Sequence, residues 1–202
     1  MRREIIAILR GVTPAHANSV CEVLVGAGIT IIEIPLNSPD PLVSIGNAAK
    51  AFIGRAEIGA GTVLSTDDVE DVKSVGGSLI VSPDTNEEVI RRTRALSMAS
   101  YPGVFTPTEA FRAIRAGADG LKFFPAEVLG AAGIKAMKAV LPREIPVYAV
   151  GGANPDNFRE YFAAGCAGFG LGSYIFKPGM ALDEIAQRAK AAVAAYDEGR
   201  KQ

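Results

Sequence analysis

Apolar residues recur along the chain in short runs, and segments with a different periodicity separate these runs. Within the separating segments apolar residues return every three or four positions, as in Ala17, Val20, Cys21 and Leu24. This spacing predicts helices with one buried face, whereas short apolar runs bounded by turn residues predict buried strands. The runs predict strands near Ile5–Leu9, Ile31–Ile34, Glu57–Gly61, Leu79–Val81, Ala99–Tyr101, Gly120–Phe124, Val147–Val150 and Gly168–Leu171.

Start and stop signals frame three of the predicted helices, at residues 15–26, 108–116 and 155–164. A capping residue stands before a proline at Thr13-Pro14 and at Asn154-Pro155, which is typical of a first helical turn. A glycine follows the end of each helix, at the position where the backbone commonly adopts the left-handed conformation. These glycines are Gly28, Gly117 and Gly165.

Strands that alternate with helices in this way are typical of parallel βαβ units. Eight units predict a compact (β/α)8 TIM barrel that occupies residues 1–202 as a single α/β domain. The competing fold is an open doubly wound sheet, in which a dinucleotide site needs a GxGxxG turn after the first strand. The first strand instead runs into Arg10-Gly11-Val12-Thr13, which lacks that turn, so the barrel is favoured.

Composition excludes several classes of partner. The 21 basic and 22 acidic residues leave a formal net charge of −1, which offers no electrostatic footprint for nucleic acid or an anionic membrane. Cys21 and Cys166 form no CxxC pattern, so neither a disulfide framework nor a zinc site is indicated. No apolar run approaches a signal sequence or the roughly 18 residues of a membrane span. The sequence therefore predicts a soluble, cytoplasmic protein.

Lys122 is the most informative residue for chemistry, because it interrupts the apolar run from Gly120 to Pro125. Burial disfavours the ammonium ion and lowers its pKa, and a neutral lysine can attack a ketone to form a Schiff base. A lysine that reaches water at the strand end, or one that pairs with a carboxylate, would explain the same pattern.

Three more polar residues end predicted strands, where a barrel places its active site. Glu33 is bracketed by isoleucines, and burial would raise its pKa towards the range useful for proton transfer. A structural ion pair between Glu33 and Lys122 or Arg10 is the alternative. Arg10 can bind a carboxylate or phosphate through its guanidinium fork, and Thr62 offers a hydroxyl beside two glycines.

The last two predicted strands end in Gly151-Gly152 and Gly172-Ser173. Loops at these positions of a barrel often bind phosphate through backbone N–H groups, so we expect a phosphorylated substrate. The chain has one histidine, His16, which excludes a metal site built on several histidines and a Ser-His-Asp triad. No spacing indicates a metal.

These residues lie in sequence motifs that resemble those of one family, the KDPG/KDPGal aldolases, which cleave 2-keto-3-deoxy-6-phosphogluconate or its galactonate epimer. The similarity covers nearly the whole chain, and its most specific phrases are residues 59–63, 121–127 and 150–152. It implies a class I, metal-independent lyase without a cofactor on a homotrimeric barrel. Its partners would be a phosphorylated 2-keto-3-deoxy sugar acid and pyruvate, with no nucleic acid or membrane.

The resemblance also implies a role for each matching residue. Lys122 would be the Schiff-base lysine and Glu33 the general acid and base. The substrate carboxylate would bind Arg10 and Thr62, and Pro83 and Phe124 would shape the wall. The phosphate would bind backbone N–H groups around Gly151, Gly152, Gly172 and Ser173.

Two positions favour the galactonate branch. Asn37 lies in the phrase after the glutamate where gluconate enzymes tend to carry arginine, and Val150 stands where they often carry threonine. A hydroxyl at position 150 could hydrogen-bond one C4 epimer, and valine cannot. The N-terminal helix of the family is absent or very short here, so we expect the bottom of the barrel to be closed differently.

The expected reaction is cleavage of 2-dehydro-3-deoxy-6-phospho-D-galactonate to pyruvate and D-glyceraldehyde 3-phosphate. A gluconate aldolase, or an enzyme that accepts both epimers, is the alternative. A phosphosugar isomerase or decarboxylase could use Glu33 and Lys122 as acid and base without an imine. A catalytically silent phosphosugar-binding barrel would have no need of Lys122, Glu33, Arg10 and Thr62 together.

Overall fold

The computed structural model describes residues 2–201, which form one parallel sheet of nine strands surrounded by eight helices. The strands are β1 (Ile5–Ile8), β2 (Ile31–Pro35), β3 (Glu57–Gly61), β4 (Leu79–Val81), β5 (Ala99–Tyr101), β6 (Gly103–Val104), β7 (Leu121–Phe123), β8 (Val147–Val150) and β9 (Gly168–Leu171). The helices are α1 (Pro14–Ala27), α2 (Pro41–Ala51), α3 (Thr66–Ser74), α4 (Glu87–Ala95), α5 (Pro107–Ala116), α6 (Ala126–Lys138), α7 (Phe158–Ala163) and α8 (Leu182–Gly199).

The sheet closes into a barrel, as the sequence predicts. Its strand order is β5-β4-β3-β2-β1-β9-β8-β7-β6, and the two end strands are consecutive pieces of chain separated by Pro102. Proline has no N–H to donate, so the ladder breaks there. The predicted fifth strand, Ala99–Tyr101, forms β5, and β6 beyond the break is a strand that the sequence did not predict. The Pro102 carbonyl still accepts a hydrogen bond from the Lys122 N–H at 2.9 Å, which carries the pairing across the break.

Helix boundaries agree with the sequence for α1 and α5 and differ for α7. Gly28 and Gly117 follow their helices with φ values of 96° and 100°. The predicted start at Pro155 is wrong, because α7 begins at Phe158. The Asn157 side chain accepts a hydrogen bond from the Asn154 N–H at 3.0 Å and holds these residues in a turn. Side-chain bonds of this kind compete with helix formation.

The apolar core lies on both faces of the sheet. Successive side chains of a strand point to opposite faces, so Ile6 and Ile8 fill the barrel interior while Ile5 and Ala7 pack against the helices. Burial on both faces explains why the strands are continuous apolar runs rather than alternating ones. Within residues 2–201 no helix is long and apolar enough to cross a membrane.

A polar cluster closes the end of the barrel at which the strands begin. The Tyr148 hydroxyl donates a hydrogen bond to Glu4 Oε2 at 2.7 Å, and Arg2 forms an ion pair with Glu57 at 3.0 Å. The rings of Tyr148 and Tyr101 meet edge to face inside the barrel at 5.4 Å. Residues 2–4 lead into β1 without a helix, so side chains form this closure.

Candidate active site

A cavity of about 680 Å³ opens at the end of the barrel where the strands finish. Ten of the residues predicted from the sequence line it: Arg10, Thr62, Pro83, Lys122, Phe124, Val150, Gly151, Gly152, Gly172 and Ser173. Seven residues of the loops after β8 and β9 that the sequence analysis did not propose for the site also line it: Ala153, Asn154, Asp156, Tyr174, Phe176, Lys177 and Pro178. In these loops no periodic pattern shows which way a side chain points.

Lys122 lies in the middle of β7 and points into the barrel, since its neighbours Leu121 and Phe123 pack on the helices. Only 7% of its surface is exposed, and its ammonium group lies 4.6 Å from the centre of the Phe124 ring. Burial lowers the pKa of Lys122, the positive charge of Arg10 lowers it further, and Glu33 opposes both. The amine therefore loses its proton more easily than an exposed lysine.

Glu33 occupies the matching inward position on β2, with Ile32 and Ile34 on the outer face. It is 1% exposed, and burial raises its pKa to about 7, against the effects of Lys122 and Arg10. Among residues 2–201 no ion pair joins Glu33 to either cation, and its Oε2 atom has no hydrogen-bond partner. The structure does not contain the ion pair that the sequence left open as an alternative.

Gly61, at the end of β3, makes room for this carboxylate. Pro35 of β2 is its register partner, and a Cβ atom at position 61 would overlap Oε1 and Oε2 of Glu33. The sequence singled out this glycine only as a neighbour of the Thr62 hydroxyl. The requirement for glycine follows from the close approach of the Glu33 side chain to the backbone of the next strand.

Arg10 follows β1 and is held over the cavity by two uncharged side chains. Its Nη1 atom donates to Asn37 Oδ1, and both Nη atoms lie 3.4 Å from Thr62 Oγ1. Thr62 has a left-handed backbone with φ of 57°, an uncommon conformation for threonine that is often kept at functional positions. Asn37 does not line the cavity and contacts it through Arg10, so any influence on substrate passes through the guanidinium.

The remaining candidates for chemistry are the two cysteine thiols and groups of carboxylates that could bind a metal. Cys21 and Cys166 are both unpaired and buried, and burial raises the pKa of each thiol to about 12. Thiols of this kind stay protonated at neutral pH and are poor nucleophiles and ligands. Within the described part of the chain no three His, Cys, Asp or Glu residues form a group that could hold a metal ion.

Residues 1–191 match the family described as KDPG and KHG aldolase. The chain belongs to this family. Its relatives include a probable 2-dehydro-3-deoxy-6-phosphogalactonate aldolase of Rhizobium meliloti (strain 1021), 53% identical over 98% of this chain and 93% of that protein. The 2-dehydro-3-deoxy-6-phosphogalactonate aldolase of Escherichia coli (strain K12) is 47% identical over 96% of this chain and 95% of that protein.

Relatives named for the gluconate substrate are more distant. A 2-dehydro-3-deoxy-phosphogluconate aldolase of Pseudoalteromonas atlantica is 33% identical over 89% of this chain and 85% of that protein. A solved structure described as native KDPGal superimposes with a TM-score of 0.98 at 45% identity, over 100% of this chain and 98% of that one. The barrel, and with it the placement of strand ends around the cavity, is therefore shared with the family.

The burial of Glu33 generates a prediction about stability. Its pKa is about 7 in the folded protein against an ordinary value of 4.5, so between these pH values the folded state binds a proton that the unfolded state does not. Stability of the wild type should fall as pH rises through this window, by about 3 kcal/mol from this group. Glu33→Gln removes the charge, so the free energy of unfolding of this variant, relative to that of wild type, should increase from pH 4.5 to pH 8.

Urea unfolding of both proteins across this pH range measures the difference. Glu198→Gln, at an exposed position of α8, is the matched control and should give no pH-dependent difference. A Glu33→Gln variant that tracks wild type at every pH would show that the folded protein does not disfavour the carboxylate.

Proposed function

We propose that the protein cleaves 2-dehydro-3-deoxy-6-phospho-D-galactonate to pyruvate and D-glyceraldehyde 3-phosphate through a Schiff base on Lys122. The observation that carries this proposal is the buried amine of Lys122, with its lowered pKa, facing the cavity. The names of the Rhizobium meliloti and Escherichia coli relatives support the choice of the galactonate epimer.

The reaction begins when the neutral amine of Lys122 attacks the C2 ketone and forms a carbinolamine. Protonated Glu33 gives its proton to the departing hydroxyl group, which leaves as water, and an iminium ion remains. A carboxyl group with a pKa near 7 suits this work, because both of its protonation states are populated at neutral pH. The iminium then attracts the electrons of the C3–C4 bond.

Glu33, now a carboxylate, removes the proton of the C4 hydroxyl, and the C3–C4 bond breaks. Glyceraldehyde 3-phosphate departs, and the bond electrons leave an enamine of pyruvate on Lys122. Glu33 returns its proton to C3. Water then adds to the resulting iminium and Glu33 takes up the proton that this releases, so that pyruvate, the neutral amine and protonated Glu33 are all regenerated. The Oε2 atom of Glu33 has no hydrogen-bond partner among residues 2–201, and in this proposal it would exchange protons with the substrate and with water.

The two charged ends of the substrate suit the two ends of the cavity. Arg10 and Thr62 would bind the carboxylate, which is supported by the absence of a carboxylate partner for the guanidinium within residues 2–201. The phosphate would lie at the loops after β8 and β9, around Gly151, Gly152 and Ser173. Holding both ends fixes the bond to be broken over the imine. Pro83 and Phe124 would form the wall between them.

Val150 is the proposed determinant of the C4 epimer. It ends β8 with its side chain in the barrel interior, lines the cavity, and packs over Gly170, where an added Cβ would lie 2.7 Å from its Cγ2 atom. An apolar side chain held in this place gives the substrate no hydrogen bond. Asn37 contributes through its hydrogen bond to Arg10.

We also propose a homotrimer in the cytoplasm, working without a metal or cofactor. Large apolar side chains remain exposed on segments after three strands: Leu64 after β3 at 53%, Phe105 after β6 at 38% and Val128 after β7 at 68%. Apolar side chains at a wet surface favour association with another protein surface. Two buried, unpaired cysteines are consistent with a reducing compartment.

Imine formation is tested with pyruvate and borohydride, which reduces an imine to a stable amine. Wild type should gain the mass of one reduced pyruvate, and peptide mapping should place it on Lys122. Lys122→Ala should gain nothing and lose turnover on the order of 10⁴-fold or more. Lys190→Ala, on an exposed face of α8, is the control and should behave as wild type. A wild-type protein that consumes the phosphorylated substrate but gains no adduct would favour an isomerase or decarboxylase mechanism.

Epimer choice is tested by kcat/KM for the two C4-epimeric 6-phosphates. Wild type should prefer the galactonate epimer, and Val150→Thr should shift the ratio towards the gluconate epimer by roughly ten-fold, the effect of one hydrogen bond. Val150→Ala removes bulk without adding a hydroxyl and should not produce this shift. An unchanged ratio in Val150→Thr would exclude the residue as the determinant.

The assembly is tested by light scattering at several concentrations. A trimer of the 21.1 kDa chain is expected, and Val128→Glu should weaken it, because a charge would have to be buried against the neighbouring subunit. Lys135→Glu on the same helix is the charge control. A monomer at all concentrations would contradict the proposed assembly without bearing on the chemistry.

A further inference from the structure

The loop after β8 has an unusual backbone that needs an explanation. Gly151 and Gly152 are both left-handed, with φ values of 93° and 75°. A Cβ atom on Gly152 would lie 2.6 Å from Glu127 Oε2, so glycine is required by space as well as by conformation. Glycine is also the most flexible residue, and two in succession do not hold a single shape by themselves.

Two asparagine side chains and one backbone group fix this loop by hydrogen bonds to its carbonyls. Asn157 Nδ2 donates to the Gly152 carbonyl at 2.9 Å, and Asn154 Nδ2 donates to the same oxygen at 3.0 Å. The Glu127 N–H donates to the Gly151 carbonyl at 3.2 Å. Both carbonyls on the two glycines are therefore held by donors.

The orientation of each asparagine amide is determined by its second hydrogen bond. Asn157 Oδ1 accepts from the Asn154 N–H at 3.0 Å, and Asn154 Oδ1 accepts from the Asp156 N–H at 3.0 Å. A backbone N–H can only donate, so the atoms facing it must be oxygens, and the nitrogens must face Gly152. In each asparagine, therefore, the oxygen accepts from a backbone N–H and the nitrogen donates to the Gly152 carbonyl.

Fixing a carbonyl also fixes the N–H of the same peptide group, which points the opposite way across a planar trans bond. The held Gly151 carbonyl directs the Gly152 N–H away from Glu127, and the held Gly152 carbonyl directs the Ala153 N–H away from the two asparagines. Neither N–H finds an acceptor among residues 2–201, although both residues line the cavity and Ala153 is buried. A buried donor without an acceptor is unfavourable, which is the condition that a bound anion relieves.

We propose that Asn157, assisted by Asn154, is a positioning residue for the substrate phosphate, and that the Ala153 N–H joins that of Gly152 as a phosphate donor. This inference rests on the proposed function, because it assigns the phosphate to this loop. The asparagines would not touch the phosphate. They would hold the glycine backbone in the one conformation that presents two adjacent donors.

Asn157→Ser and Asn157→Asp test the proposal. Both keep an oxygen to accept the Asn154 N–H at the start of α7, and both lose the amide NH₂ group that donates to the Gly152 carbonyl; the shorter serine hydroxyl does not replace its reach. The binding of inorganic phosphate and of glyceraldehyde 3-phosphate should weaken roughly 10- to 100-fold, the range expected if one backbone N–H no longer reaches the charged phosphate. The neutral serine variant separates this effect from the added charge of aspartate.

Trapping of pyruvate on Lys122 by borohydride is the second measurement, since pyruvate carries no phosphate. It should remain as in wild type in both variants, while KM for the phosphorylated substrate rises. Asn47→Asp, at an exposed position of α2, is the matched control and should change neither. Unchanged phosphate binding in Asn157→Ser would overturn the proposal.

Equal loss of phosphate binding and pyruvate trapping would also overturn it, because it would assign Asn157 to the general stability of the barrel. Failure of wild type to trap pyruvate would instead contradict the proposed imine chemistry. Phosphate binding by the wild type, and its weakening in the variants, would still be measurable in that case. The two proposals therefore fail in different experiments.

Discussion

The site depends on one physical constraint, which is that an amine and a carboxylate share the apolar interior of the barrel without forming an ion pair. Burial raises the pKa of Glu33 and lowers that of Lys122, and each charge opposes the shift of the other only in part. A direct contact would favour both charged forms and hold the lysine as an ammonium ion. Keeping the two groups apart preserves both pKa shifts, on which the proposed roles of Lys122 as nucleophile and Glu33 as proton carrier depend.

The strands make this separation possible, and their neighbours preserve it. Glu33 stands on β2 and Lys122 on β7, with β1, β9 and β8 between them in the sheet. Ile8 and Val150 fill the interior at these intervening positions and keep it apolar. Gly61 leaves space for the carboxylate, and Phe124 lies beside the ammonium group. A substitution at any of these places would change the chemistry through packing rather than through a lost functional group.

The sequence predicts the strands and the two buried ionisable residues well, because both follow from local contrast between apolar and polar positions. It does not predict the break at Pro102, whose effect appears only when β5 and β6 meet different partners. It also places α7 too early, since the turn at Asn154 is set by side-chain hydrogen bonds from Asn157. The requirement for glycine at position 61 depends on contact with another strand, which no local pattern records.

The two ends of the cavity are built from different kinds of group, and this bears on specificity. Arg10 carries a full charge on a long side chain held by Asn37 and Thr62, and under the proposed function it would attract the substrate carboxylate over a distance. The Gly151-Gly152 loop offers backbone donors whose directions are set by the fold. Donors of this kind act only on an acceptor that reaches them, so they discriminate by the length and shape of the substrate. A fixed loop at one end and a charge at the other would therefore set the position of the bond between them.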